Sequence, residues 1–181
     1  MNLLEAKNLY KSFGNINAVS DISISLNVGE VIGFLGPNGA GKSTTMKMLT
    51  GFLEADSGSI KIKKIDLSKD PINAKSIIGY LPEGAPSYSD MTVKSFLYFV
   101  GKMRGLKDEL LEKRLEIMLK DINLSEVQNQ IIETLSKGYK RRVGIAQALI
   151  HDPDILILDE PTDGLDPVSY THLRAHETAC Y

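Results

Sequence analysis

Val31-Ile-Gly-Phe-Leu-Gly36-Pro-Asn-Gly-Ala-Gly-Lys-Ser-Thr44 runs from a short apolar segment straight into a glycine-rich turn. The unbroken apolar run Val31–Leu35 predicts a strand buried on both faces. A helix is expected to begin near Lys42 and to end at Gly51. Between strand and helix, Gly36 to Thr44 satisfies G-x-x-x-x-G-K-[ST], the spacing of a phosphate-binding loop. Glycines let the main chain curl until successive N–H groups point inward at phosphate oxygens. The following helix adds the positive end of its dipole at the same point. A chance match to these four positions is an event of about 1% in a chain of this length, and the strand–turn–helix context lowers it further.

That loop assigns roles. The N–H groups of Gly36, Asn38, Gly39, Ala40, Gly41 and Thr44 would cradle the phosphates of ATP. Lys42 would bridge the β- and γ-phosphates, and the Ser43 hydroxyl would ligate Mg²⁺. Downstream, Ile155-Leu-Ile-Leu-Asp159-Glu160 sets two carboxylates where an apolar strand runs out. In open α/β sheets, ligands bind at the carboxyl ends of strands. Asp159 is therefore expected to hold Mg²⁺, and Glu160 to polarise an attacking water as general base. A plain strand-end turn with solvated acids is the rival reading, and the phosphate loop upstream makes it the poorer one.

Outward from these motifs, the first thirty residues read as antiparallel strands, with Val19, Ile22, Ile24 and Leu26 alternating with polar residues. Ile60–Ile65 alternates again, and Ile77–Leu81 is another short apolar strand. From Met91 the texture becomes helical: Val93, Phe96, Leu97 and Val100, then Leu111, Leu115 and Met118. Thr92 to about Gln130 reads as a helical insertion. Ser136 can cap a further helix whose buried face carries Val143, Ala146, Leu149 and Ile150.

The 181 residues suit one domain with a small subdomain. A net charge of −2 gives no ground for binding nucleic acid. No apolar run nears the length of a membrane span, and Met1 opens no signal peptide. Cys180 is the only cysteine, so no intrachain disulfide forms. That fits a reducing cytoplasm.

Two further stretches narrow the class. Leu135-Ser-Lys-Gly-Tyr-Lys-Arg-Arg-Val-Gly-Ile-Ala-Gln-Ala-Leu149 resembles the signature motif of ATP-binding cassette (ABC) ATPases, and Glu160-Pro-Thr-Asp-Gly-Leu-Asp-Pro167 resembles that family's D-loop segment. With the loop and the acid pair, four motifs stand in the family's order over residues 1–167. The resemblance implies an α/β P-loop NTPase fold: a RecA-like core sheet, an antiparallel β subdomain and a helical subdomain at about 88–150. It implies that Phe13, in Lys-Ser-Phe-Gly, stacks on adenine, with a core aromatic as the alternative. It implies a head-to-tail dimer sandwiching two ATP molecules, in which Ser136 and Gly138 touch the γ-phosphate bound by the partner copy and Asp166 lies at the seam.

The signature reads LSKGY where the commonest form is LSGGQ, yet Ser136 and Gly138 remain. Glu83 stands where most members carry a glutamine that senses Mg²⁺ and the transmembrane partner. A carboxylate is an acceptable Mg²⁺ ligand, although it adds negative charge near the phosphates. Both departures resemble ABC ATPases serving separately encoded export permeases, among them drug, sodium and gliding-motility exporters. The resemblance thus implies an ATP-hydrolysing subunit, cytoplasmic and peripheral on the inner face of the cell membrane, docked to its permease near Glu83 and the helical subdomain. Two alternatives stay open: a soluble ABC ATPase acting on ribosomes or DNA, and a fragment that binds nucleotide without turnover.

After Pro167 the pattern stops. Val168 to Thr178 resembles a translated sequencing adapter, so residues 168–181 are expected to be non-native and the cassette C-terminally truncated. His172 and His176 are then neither a metal pair nor the family's switch histidine. Losing the next strand would strip hydrogen-bonding partners from the phosphate-loop strand and the acid-pair strand.

Overall fold

The computed structural model describes residues 2–84 and 88–159, which fall into two compact units divided at Ile78/Gly79.

In the first unit, β1 (Asn2–Phe13) and β2 (Ile16–Asn27) pair antiparallel through a two-residue turn at Gly14 and Asn15. Gly14 has φ 58°, the left-handed backbone such hairpin turns need. β3 (Ser57–Ile62) adds to the other edge of β1, and β4 (Ile65–Asp66) follows, giving the order β2-β1-β3-β4. Leu4, Leu9, Val19 and Ile62 are buried on this sheet. Alternation along β2 is imperfect: Val19 is buried, but Ile22 is exposed. The register slips between them at Asp21, whose φ is 54°. The slip is braced by Asn8, also left-handed, whose side chain donates to Asp21 Oδ1 at 2.7 Å. The alternating run Ile60–Ile65 is a hairpin rather than one strand, because Lys63 turns left-handed (φ 56°) and pairs Ile62 with Ile65.

Helix α1 (Lys42–Leu49) stops before Gly51, whose φ is 68°. A helix that periodicity missed, α2 (Pro71–Ser76), is capped by Asp70 accepting from Asn73 N–H. The expected strand Val31–Leu35 is absent. These residues carry no regular structure, and Val31, Ile32 and Leu35 are exposed. A strand buried on both faces requires a ladder neighbour. Among the described residues, no strand pairs with this segment.

In the second unit, β5 (Ile78–Leu81) pairs with β6 (Ile155–Leu158) in a two-stranded sheet. Between them lie α3 (Val93–Met103), α4 (Asp108–Asp121), two 3-10 turns (Ser125–Val127 and Ile132–Thr134) and α5 (Lys137–Leu149). Thr92 caps α3 by accepting from Ser95 N–H. Phe96, Leu97, Leu115, Leu124, Ile132 and Val143 form the core joining these helices. The opposite side of α5 packs Ile145 and Ala148 on Leu81, Leu156 and Leu158. Helix α5 is thus buried on both sides, which fixes it between helices and sheet.

Candidate functional site

In the phosphate loop, Gly39 and Gly41 both have φ 82°. A Cβ on Gly41 would lie 2.2 Å from the carbonyl oxygen of Ala18, so both backbone angle and space demand glycine there. Gly41 is the N-cap of α1, and no side chain caps it. No acidic residue occupies the first helical turn. The first turn of α1 therefore adds no negative charge of its own at the positive end of the dipole. Lys42 bends over the loop, its Nζ donating to the carbonyl oxygens of Gly36 and Pro37, each at 2.8 Å. Asn38 and Ala40 are exposed, while Ser43 and Thr44 are half-buried in the first turn. Thr45 is buried and donates to Gly41 O at 2.9 Å, pinning that turn. A cleft of about 410 Å³ opens here, lined by residues including Asn17, Val19, Phe34, Gly39, Lys42 and Thr45.

Phe13 ends β1 with half of its surface exposed, outside the lining of that cleft. The Lys11 ammonium sits 5.8 Å from its ring centroid and is held by Asp56 at 2.6 Å. Asp56 also accepts from Ser12 N–H at 2.7 Å. Its carboxyl lies below the ordinary range, chiefly through the Lys11 hydrogen bond and then that of Ser12.

The second unit gathers another set of residues. Pairing of β5 with β6 brings Glu83, exposed in the turn after β5, to the same end as Asp159. Asp159 N–H donates to Leu81 O at 2.9 Å, and the residue is only 3% exposed. Beneath it, the Tyr80 hydroxyl titrates above its usual range, first through burial and then through the Asp159 charge. Ser136 caps α5, accepting from Tyr139 N–H at 3.4 Å. Gly138 lies half-buried in the first turn of that helix, which carries no acidic residue. Glu160 and Asp166 fall outside the described residues, as do His172, His176 and Cys180.

Sequence reasoning passed over Arg141. It is 8% exposed and donates to the carbonyl oxygen of Asp159 at 2.7 Å. The available signal was its place on one helical stripe with Ile145 and Ala148, where a charge interrupts an apolar face.

Residues 19–163 match the family model described as ABC transporter. The chain belongs to the ABC transporter ATP-binding family. Among ABC relatives, the linearmycin resistance ATP-binding protein LnrL of Bacillus subtilis is 43% identical over 171 residues, 94% of this chain and 55% of that protein. The lipopolysaccharide export system ATP-binding protein LptB of Haemophilus influenzae is 38% identical, over 96% of this chain and 73% of LptB. A solved ATP-binding subunit of an ABC transporter superposes with a TM-score of 0.89 at 32% identity, covering 98% of this chain and 75% of its own. The P-loop NTPase fold of the ABC cassette follows from that likeness. The chain spans about half the length of LnrL.

Oxygen donors are what Mg²⁺ takes, usually one or two carboxylates completed by water and phosphate rather than a cage of protein ligands. The Ser43 hydroxyl and the Asp159 carboxylate suit that chemistry. Among the described residues there is no cluster of three or more metal-binding side chains, and a phosphate-bound Mg²⁺ needs none.

Proposed function

We propose that the chain is the ATP-binding and ATP-hydrolysing part of an ABC exporter, working with a separately encoded permease. The observation that carries this is the phosphate loop, where an ammonium and a helix N-terminus whose first turn holds no acidic residue converge on one turn. Neutral carbonyls are weaker partners for Lys42 than phosphate oxygens, so a triphosphate can draw the ammonium away from Gly36 and Pro37. The N–H groups of the loop from Gly36 to Thr44 then bind the remaining phosphate oxygens. Ser43, Asp159 and Glu83 hold Mg²⁺, which when bound neutralises charge on the phosphates. Glu160 accepts a proton from the attacking water. Phe13, displayed on the surface, offers its ring to adenine.

Residues 88–150 serve as the helical subdomain, and a second copy of the cassette closes on the nucleotide through Ser136, Gly138 and Asp166. The N-terminus of α5, whose first turn holds no acidic residue and carries exposed Lys137 and Lys140, suits a phosphate presented by that copy. Among the described residues, no helix is long and apolar enough to cross a membrane, so the permease supplies the membrane path and holds the cassette at the inner face. Export is favoured because LnrL is named for resistance and LptB for an export system.

Lys42→Ala in the full gene product tests this reading. Binding of a fluorescent ATP analogue should be lost, and ATP turnover should fall by about 100-fold or more. Unchanged binding and turnover would remove the phosphate loop from the site.

A further inference from the structure

One stripe of α5 places Arg141, Ile145 and Ala148 on the same buried side. Ile145 and Ala148 do what an apolar stripe should, packing against Leu81, Leu156 and Leu158. Arg141 puts a guanidinium where a third apolar residue would pack without desolvation cost. What it meets explains the choice. Nη2 donates to the carbonyl oxygen of Asp159 at 2.7 Å, and Nη1 lies 3.5 Å from the carbonyl oxygen of Pro82. Pro82 and Asp159 are the first residues beyond β5 and β6. One side chain thus holds the main chain where β6 leaves the sheet and reaches toward the main chain where β5 leaves it, on the side that carries Glu83 and the Asp159 carboxylate. A peptide unit is planar, so fixing a carbonyl also fixes the orientation of the peptide that leaves that residue.

We infer that Arg141 is a positioning residue for the Mg²⁺–nucleotide site, holding the Asp159 and Glu83 segments in fixed register from the first turns of α5. This rests on the function proposed above. The planar fork of arginine can span two carbonyl oxygens at once, whereas a lysine ammonium is a point donor on a flexible stem. Ser136 and Gly138 stand at the start of the same helix, so a phosphate engaged there pulls on the rigid element that carries Arg141. Displacement of α5 reaches the acid segment through a charge-assisted hydrogen bond as well as through the packing of Ile145 and Ala148 on the sheet.

The rival reading is that Arg141 merely fills space. In that case methionine, of similar length and free of desolvation cost, should serve as well or better. The experiment takes the full gene product as wild type, Arg141→Met and Arg141→Lys. It measures thermal unfolding without ligand, affinity for a fluorescent ATP analogue in EDTA, the Mg²⁺ concentration at half-maximal enhancement of that binding, and steady-state kcat and KM for ATP. Arg141→Met should leave affinity in EDTA within about twofold, because the phosphate loop is untouched. The Mg²⁺ midpoint should rise by about 10- to 100-fold, as for loss of an outer-shell partner. kcat should fall with little change in KM, and Arg141→Lys should recover part of both effects.

A folded Arg141→Met variant with the wild-type Mg²⁺ midpoint and kcat overturns the inference while leaving the proposed function standing. If Arg141→Met does not fold, Arg141→Lys decides: a raised midpoint supports positioning, and a wild-type midpoint overturns it. A wild type that binds no nucleotide, with or without Mg²⁺, sinks both the inference and the function beneath it.

Discussion

Lys42 and Lys11 spend their charges differently. Lys42 rests on two neutral main-chain oxygens and is free to exchange them for stronger partners. Lys11 is committed to Asp56, a charge pair that also takes the N–H of Ser12 and so fixes the end of β1 from which Phe13 projects. The pair is partly exposed, so its strength is limited and falls with salt. Its pH dependence is still readable. Because Lys11 and Ser12 hold the Asp56 carboxyl below its ordinary value of 3.8, its ionised form stabilises the fold. That contribution is complete above the unfolded value and is lost as pH falls through the lower folded one. The stability difference between wild type and Asp56→Asn, from urea midpoints, should hold steady above pH 5 and shrink below about pH 3.8. A difference that is flat across this range would mean the ionised carboxylate contributes nothing.

At this scale the sequence is legible where function is local. A phosphate-binding loop works through consecutive residues, so spacing alone nominates them. Arg141 reaches a partner 18 positions away and Lys11 one 45 positions away. No local periodicity encodes such pairings.

Among the elements, β5 and α5 meet more closely than side chains normally permit. A Cβ on Gly79 would lie 2.3 Å from the carbonyl oxygen of Ala148 and 2.8 Å from Pro153. The first obstacle is main chain, so it cannot rotate away. Gly79→Ala should therefore force the strand off the helix and destabilise the fold by about 1–3 kcal/mol, measured by chemical denaturation. Stability equal to wild type would show that the helix end yields freely. The same region illustrates what patterns reveal. Three long helical stripes stood out because each repeats its apolar residues over several turns. α2 did not, since six residues are too few for periodicity, although Asp70 followed by Pro71 carried the cap-and-proline signal. Val31–Leu35 misled for a deeper reason. Its composition describes a strand inside a sheet, and composition says nothing about whether neighbours are present.

For the molecule as a whole, that segment is the exposed weakness. Val31 and Leu35 are 72% and 97% exposed, and Phe52 is 75% exposed in the same unit. Five successive uncharged residues without proline, rich in β-branched and aromatic side chains and without a ladder partner among the described residues, form the kind of segment that recruits another chain. The 181-residue chain should therefore self-associate at micromolar concentration, enhance the fluorescence of an apolar dye, and melt over a broad range. Leu35→Ser together with Val31→Ser should shift the population toward monomer on size-exclusion chromatography with light scattering, because the change removes apolar area without touching Gly36 to Thr44. If the unaltered chain ran as a single monomeric species with one sharp thermal transition and no dye response, these side chains would have to be covered in solution, and Val31–Leu35 would have found the ladder that its composition calls for.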